Sequence, residues 1–311
     1  MNNSADTNED DRSVDLFLAF RPRMLGIAYR MLGTMADAED VIQEVYERWH
    51  GIAASDPVRD SSVLLVTLTT RLCIDRYRRE RTRREAYAGS WLPEPVSTPA
   101  DDPLAHLESE RMLSLGLLRV LEHLSPLERA VFVLADAFDY RAGEIASVIG
   151  RTEAHCRQLL HRARKSVKPM IEAPVDARRK ADNYREGLSL LGALLEALQQ
   201  GNVEQAERLL AADVALYSDG GGKVAAVKRQ VTGSRAVARL LVGLARQQSG
   251  SPSRHFAYRP INGYPALILY DHGEVETVMV VEHAGAQVCG AFVQRNPDKL
   301  ARLTASLLRS T

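Results

Sequence analysis

Residues Arg141 to Lys168 read RAGEIASVIGRTEAHCRQLLHRARKSVK. The first part carries Ile145, Ala146 and Ile149 on one side of a short helix that stops at Gly150. Glycine supplies a left-handed, helix-ending turn without a Cβ clash. Thr152 follows, a side chain whose hydroxyl accepts from free N–H groups at a helix start. In the second helix Cys156, Leu159, Leu160, Ala163 and Val167 recur at helical spacing as a narrow apolar stripe. Its other face carries Arg157, Gln158, His161, Arg162, Arg164, Lys165 and Lys168. Two short helices, a glycine turn and a basic second helix make a helix-turn-helix pattern suited to the major groove and its phosphates. A solvated basic surface helix is the bland alternative. Turn, cap and charge agree in favour of DNA.

Immediately upstream, Ser125-Pro126-Leu127-Glu128 is a capping box with proline at the first helical position. Leu127, Ala130, Val131, Leu134 and Ala135 continue that helix. Before it, Leu104, Leu107, Met112, Leu115, Leu118 and Leu121 predict a helix ending near His123. Four helices therefore form a small all-α domain over 104–173, closed by Pro169 and Pro174.

Further back, residues 87–103 lose periodicity and contain Pro93, Pro95 and Pro99, which marks an extended linker. Trp91 and Leu92 are large and apolar, so they are expected to dock rather than face water. Residues 13–86 are helical again. Leu16, Phe17, Phe20, Met24, Ile27 and Met31 set one helix, with Pro22 expected to split or kink it and Gly33 to end it. Thr34 and Asp37 cap the next helix, ADAEDVIQEVYERWHG, whose Asp40, Gln43, Glu44 and Glu47 lie opposite Val41, Ile42, Val45 and Trp49. That acidic side is either a solvated face or a docking surface for a basic partner. A third helix starts near Ser61 and ends in DRYRRERTRR, with Tyr77 among the arginines. Such an end either holds phosphates and stacks on unpaired bases, or is simply a charged terminus. Residues 1–12 are polar and acidic and read as disordered.

Composition sets the outer bounds. The chain has 311 residues, enough for two or three domains, with 40 basic and 40 acidic residues, so any polyanion affinity must be local. Cys73, Cys156 and Cys289 are scattered, with neither zinc-ligand nor redox spacing. No metal or cofactor is expected, and a reducing cytoplasm fits. The N-terminus is no signal peptide, and no apolar run reaches membrane-spanning length.

Downstream of a 174–183 connector the character changes. Residues 188–198 and 203–210 read as helices, Ala215 and Tyr217 as a strand before the glycine turn DGGGK, and 234–246 as a helix. Four β-like segments follow, HFAYRPI, PALILYD, VETVMVVEHA and AQVCGAFVQR, separated by the turn signals NGYP, DHG and AG. NPDKL opens a last helix. Helices followed by an antiparallel run predict an α+β domain over 184–311 with one curved sheet.

With these stretches in hand, 14–84 resembles region two of an extracytoplasmic-function (ECF) sigma factor, through LGIAYRMLG, ADAEDVIQEVYERW and CIDRYRRERTRR. Residues 107–168 resemble region four, and the C-terminal part resembles a SnoaL-like, NTF2-type cone. WLPEP, DGGGK and NPDKL recur in the class of ECF factors with this extension. The resemblance implies a multidomain protein: two all-α domains followed by an α+β cone. It implies that Asp37, Asp40, Gln43, Glu44 and Glu47 meet the β′ clamp helices of core RNA polymerase. It places Asp75, Arg76, Arg78 and Arg79 at the minus-ten element. It gives Thr152, Glu153, His155, Arg157, Gln158, His161, Arg162, Arg164 and Lys165 to the minus-thirty-five duplex, with region four on the β flap. Trp91, Leu92, Pro93, Glu94 and Pro95 would join Asp219, Gly220, Gly221, Gly222, Lys223 and Asn296, Pro297, Asp298, Lys299, Leu300 in an interdomain regulatory contact. A tethered cone would replace a separate anti-sigma factor. Two other functions stay open. One is a repressor with a ligand-sensing cone. The other is an enzymatic cone using Tyr217, Asp219, His255, Tyr258, Tyr270 or His272, although an enzyme is not the expected outcome.

Overall fold

A computed structural model of the chain describes residues 3–53, 61–87, 89–98, 114–171, 180–248 and 252–309. The first part of the helix expected from Leu104 to near His123, the loop around Pro57 and most of the connector lie outside the described residues. The chain forms two compact units.

The first unit is helical. It contains α1 (Asn3–Leu32), α2 (Met35–Ala53), most of α3 (Ser61–Glu85), the last residues of α4 (Leu115–Leu121), α5 (Pro126–Phe132), α6 (Ala142–Ile149) and α7 (Glu153–Ile171). Two expectations are corrected in α1. The helix begins at Asn3, so 3–12 are helical rather than disordered. Pro22 does not divide it, since proline removes one donor and the other turns still hold the helix. Helix α7 runs through Pro169 to Ile171, while the helical unit itself closes at Pro169. Gly33 ends α1 as expected, at φ 76°. A π-helical turn, Val133–Ala137, follows α5 where a plain helix was expected.

Met24, Ile27 and Met31 of α1 and Val41, Val45 and Trp49 of α2, marked by the periodicity, are buried, and so are Leu25 of α1 and Leu65, Val66 and Cys73 of α3. Both helical regions share this unit. Arg129 of α5 is fully buried and donates through Nε and Nη2 to the carbonyl of Arg30 in α1, at 3.0 and 2.9 Å. Its Nη1 donates to Glu122, and its guanidinium lies 4.7 Å from the centre of the Tyr77 ring. Tyr77 donates to the Glu122 carbonyl, and Arg71 to the carbonyl of Val148. A buried cation costs several kcal/mol unless paired and hydrogen-bonded, and these partners meet that need.

The second unit holds the linker, the start of α4, and the C-terminal residues. Its sheet comprises β1 (Leu210–Asp219), β2 (Val231–Thr232), β3 (Arg254–Ile261), β4 (Tyr264–Asp271), β5 (Glu274–Ala284) and β6 (Gln287–Gln294). The strand order is β2-β1-β6-β5-β4-β3, with β1 parallel to β6 and every other pair antiparallel. Register shifts near Leu210, Leu269 and Glu282 are irregularities of the kind that bend a sheet. The expected turns are two-residue hairpins with both central residues left-handed, Asn262-Gly263 (54°, 78°) and His272-Gly273 (51°, 85°). One apolar cluster joins the sheet to α8 (Lys180–Gln199), α9 (Val203–Arg208) and α10 (Ser234–Gln248). A second cluster joins Ile261, Ile268, Val278, Val280 and Phe292 to α11 (Pro297–Arg309), and Leu92 of the linker and Leu115 of α4 sit in it, fully buried.

Candidate nucleic-acid interface and linker clasp

The helix-turn-helix is built as its residues dictate. Gly150 takes φ 67° and caps α6. The amide of His155 donates to the Thr152 hydroxyl at 3.3 Å, opening α7. Ile145, Val148, Ile149, Cys156, Leu159, Ala163 and Val167 are buried, which leaves Arg157, Gln158, His161, Arg162, Lys165 and Lys168 on an exposed face. Some of that charge is tied down within the unit. Arg157 pairs with Glu153, Arg162 with Glu128 at 3.3 Å, and Arg164 with Asp136 at 2.7 Å. His155 is half-buried, while Thr152 and Glu153 are exposed at the helix start.

On α2, Gln43 and Glu47 are exposed, and Glu44 pairs with Arg48 one turn on. Asp37 and Asp40 are not bare. Arg76 of α3 donates to Asp37 Oδ1 from Nε (3.0 Å) and Nη2 (2.7 Å), and from Nη2 to Asp40 Oδ2 (2.8 Å). The acidic and arginine-rich helices, read separately in the sequence, meet at this point. Asp75, Arg78 and Arg79 remain exposed, with Arg78 against Asp75 at 3.1 Å. Tyr77 corrects the stacking expectation. It is buried with Cys73 and Ile74 and turns inward to Arg129, because its position continues the apolar stripe of α3.

The linker is stitched to the cone. Asp219, at the end of β1 and 1% exposed, accepts from Tyr87 Oη (2.6 Å), the Leu92 amide (3.0 Å), the Gly221 amide (2.9 Å) and Lys299 Nζ (2.7 Å). Lys299 also donates to the Leu92 carbonyl at 2.6 Å and lies 4.2 Å from the Trp91 ring centre, with Arg84 stacked over the same ring at 3.9 Å. Gln294 points its amide at the carbonyls of Leu92 and Pro93, and Asn296 donates to the Tyr87 hydroxyl. Pro93, Glu94 and Pro95 are buried. Val96 exchanges bonds with Asn262, and Ser97 bridges to Ile261. Burial together with the Asp219 bond drives the Tyr87 phenol above its ordinary range, so it stays a donor.

Glycine is obligatory here at two points. A Cβ on Gly220 would stand 2.4 Å from the Val224 carbonyl oxygen, and one on Gly221 (φ 65°) would stand 2.5 Å from Asn296. Gly222 is also left-handed, and Lys223 pairs with Asp298 at 2.7 Å in an exposed position. Pro297 starts α11, and Leu300 is buried beneath it.

A second attachment has no motif. Glu282 on β5 accepts from Ser114 Oγ (2.6 Å) and the Gly116 amide (2.9 Å) at the start of α4. Burial pushes its carboxyl above the usual range, while those two donors favour the ionised form. Arg119 stacks on Tyr217 at 3.9 Å, and Tyr217 stacks on Phe292. Sequence reading missed Tyr87, Gln294, Asn262, Ser114 and Glu282. Only Tyr87, an aromatic opening a proline-rich linker, carried a local hint.

The groups considered for catalysis are dispersed. Asp219 is engaged by five donors, Gln294 Nε2 at 3.4 Å being the fifth, and Tyr217 is covered by Arg119. His255 of β3 stacks on Tyr270 of β4, with β5 and β6 lying between them and β1, Tyr258 is exposed on β3, and His272 sits in a hairpin turn. Among the described residues no cluster of histidine, cysteine and acidic side chains could hold a metal, and no helix is long and apolar enough to cross a membrane.

The sigma-70 region 2 family model matches residues 16–83, and the sigma-70 region 4 family model residues 114–167. ECF RNA polymerase sigma factor SigJ of Mycobacterium tuberculosis (strain ATCC 25618 / H37Rv) is 33% identical over 305 residues, 92% of each chain. Probable ECF RNA polymerase sigma factor SigI of Mycobacterium tuberculosis (strain CDC 1551 / Oshkosh) is 28% identical over 93% of this chain and 95% of its own. The crystal structure of Mycobacterium tuberculosis SigJ superposes with a TM-score of 0.73 at 31% identity, covering 93% of this chain and 98% of that one. A helix-turn-helix, an acidic helix answered by an arginine-rich one, and a cone that grips the linker thus stand in a chain that belongs to the ECF RNA polymerase sigma factors.

Proposed function

We propose that this chain is a sigma factor whose own cone regulates it. Family membership makes it a factor for promoter-specific initiation with core RNA polymerase. The side chains of α2 that reach solvent (Asp40, Gln43, Glu44, Glu47) face the β′ clamp helices, and region four meets the β flap. Asp75, Arg78 and Arg79 face the minus-ten element. The outer face of α7, Gln158, His161, Lys165 and Lys168 among it, meets the minus-thirty-five duplex. Arg157, Arg162 and Arg164 reach DNA only by leaving their acidic partners.

The observation that carries the regulatory part is the capture of Leu92 by Asp219 and Lys299. A segment that must span the distance between two promoter elements is held along its length by the cone. Arg129 meanwhile ties α5 to α1. Polymerase, or a small ligand of the cone, shifts the chain from this closed state to one in which both regions reach DNA. The cone takes the place of a separate anti-sigma factor, and its work is holding rather than catalysis, in keeping with the full engagement of Asp219.

The test is transcription in vitro with core polymerase and the gene's upstream region, comparing the full-length protein with Trp91→Ala and Asp219→Asn. Output that depends on added wild-type protein is expected, together with a change in both variants. Equal output from all three ends the regulatory reading. Stable duplex binding by the protein alone, with no transcription, ends the sigma reading and favours a repressor.

A further inference from the structure

We infer that Arg76 is a positioning residue for polymerase binding, which holds Asp37 and Asp40 of α2 in place, and is not a promoter contact. The inference rests on the sigma reading of α2. Arg76 lies in a run of arginines, and by sequence alone it belongs with Arg78 and Arg79. On the helix it does not. Arg78 and Arg79 face solvent, whereas Arg76 lies over α2 with 29% of its side chain exposed. Three charge-assisted bonds fix it there, two to Asp37 Oδ1 and one to Asp40 Oδ2.

The two carboxylates differ in what remains to them. Asp37 accepts from Thr34 Oγ1 at its second oxygen, so both of its oxygens serve the joint between cap and helices. Asp40 gives one oxygen to Arg76 and keeps 62% of its side chain in solvent, next to Gln43 and Glu44 on the same face. A guanidinium between two carboxylates one turn apart bridges them and selects one rotamer of each. An Arg76 turned to a phosphate would give up three such bonds and leave two like charges side by side. The acidic surface offered to polymerase is therefore set from α3, through Arg76.

The experiment measures affinity of the full-length protein for core polymerase without DNA. It also measures initiation on a set of promoters varied one base at a time in the minus-ten element. Arg76→Ala should weaken core binding by about tenfold or more. The ranking of minus-ten variants should be unchanged. Arg76→Lys, which keeps the charge and loses the fork, should recover only part of the affinity. Asp40→Asn should cost less in the Arg76→Ala background than in wild type, the signature of one residue acting through another. That coupling is a readout that general destabilisation would not produce. Core binding that is unchanged or tighter in Arg76→Ala, or a reordered minus-ten ranking, overturns the inference and leaves the sigma reading intact. If Arg76→Ala fails to fold, Arg76→Lys and Asp40→Asn decide alone, and additive losses overturn it. Failure of the wild-type protein to bind core polymerase overturns the sigma reading itself, a different result from any of these.

Discussion

Each of the two units buries a cation, and they do it differently. In the helical unit Arg129 spreads its guanidinium over a backbone carbonyl, a partly solvated Glu122 and an aromatic ring. In the cone unit Lys299 has one compact ammonium, and it sits against Asp219, a carboxylate with no exposed side-chain surface. The helical solution distributes the charge over several neighbours, so that loss of any one is partly absorbed. The cone concentrates it in a pair, around which Tyr87, Gly221, Gln294 and the linker backbone at Leu92 add hydrogen bonds. A concentrated pair is a better switch, because it fails as a whole.

Breaking the concentrated pair should have the largest effect. Asp219→Ala leaves Lys299 buried without its counter-charge and should cost about 3–5 kcal/mol of cone stability. Amide hydrogen exchange should report it first at Leu92, whose N–H loses its acceptor. Arg129→Met keeps volume and removes the distributed cation. A loss of about 2–3 kcal/mol is expected in urea unfolding, smaller because Glu122 reaches water. An equal or larger loss than for Asp219→Ala would reverse the comparison. Gly116→Val tests the attachment without a motif. A Cβ there stands 2.7 Å from Glu282 and 3.0 Å from Phe292, so crowding should cost about 1–3 kcal/mol. Protection of the α4 amides should fall with it. Lys223→Ala breaks an ion pair between the same two segments that Asp219 and Lys299 join, but in water. Its cost should stay within about 1 kcal/mol and vanish at high salt. A larger loss would mean that exposure is not what separates the two pairs.

Legibility in the sequence followed the range of the interaction. The helix-turn-helix, its Gly150 and Thr152 signals and the Asn262-Gly263 hairpin are local, and each was readable within a few residues. The strands of the cone were readable by alternation and turn residues. Arg76 meeting Asp37 and Asp40 was not, since they lie 39 and 36 positions apart and periodicity says nothing of which helix faces which. Tyr77 shows the same limit. Its arginine neighbours suggested solvent, while its place on the helix put it in the core. The continuity of α1 across Pro22 went unread because a proline rule about donors was given more weight than the turns on either side. Glu282 is one acid among the alternating residues of β5, and its partners Ser114 and Gly116 lie more than 160 residues earlier.

The parallel pairing of β1 with β6 brings Asp219 beside Gln294, so the receiving site for Leu92 exists only when the last strand is in place. Lys299 lies 207 residues after Leu92. At roughly 5–20 residues per second of synthesis, the ribosome releases the linker about 10–40 s before the residue that grips it. Each newly made molecule thus passes through a youth in which its helical unit is complete and its linker is unheld, and a polymerase close to the site of translation meets it in that form.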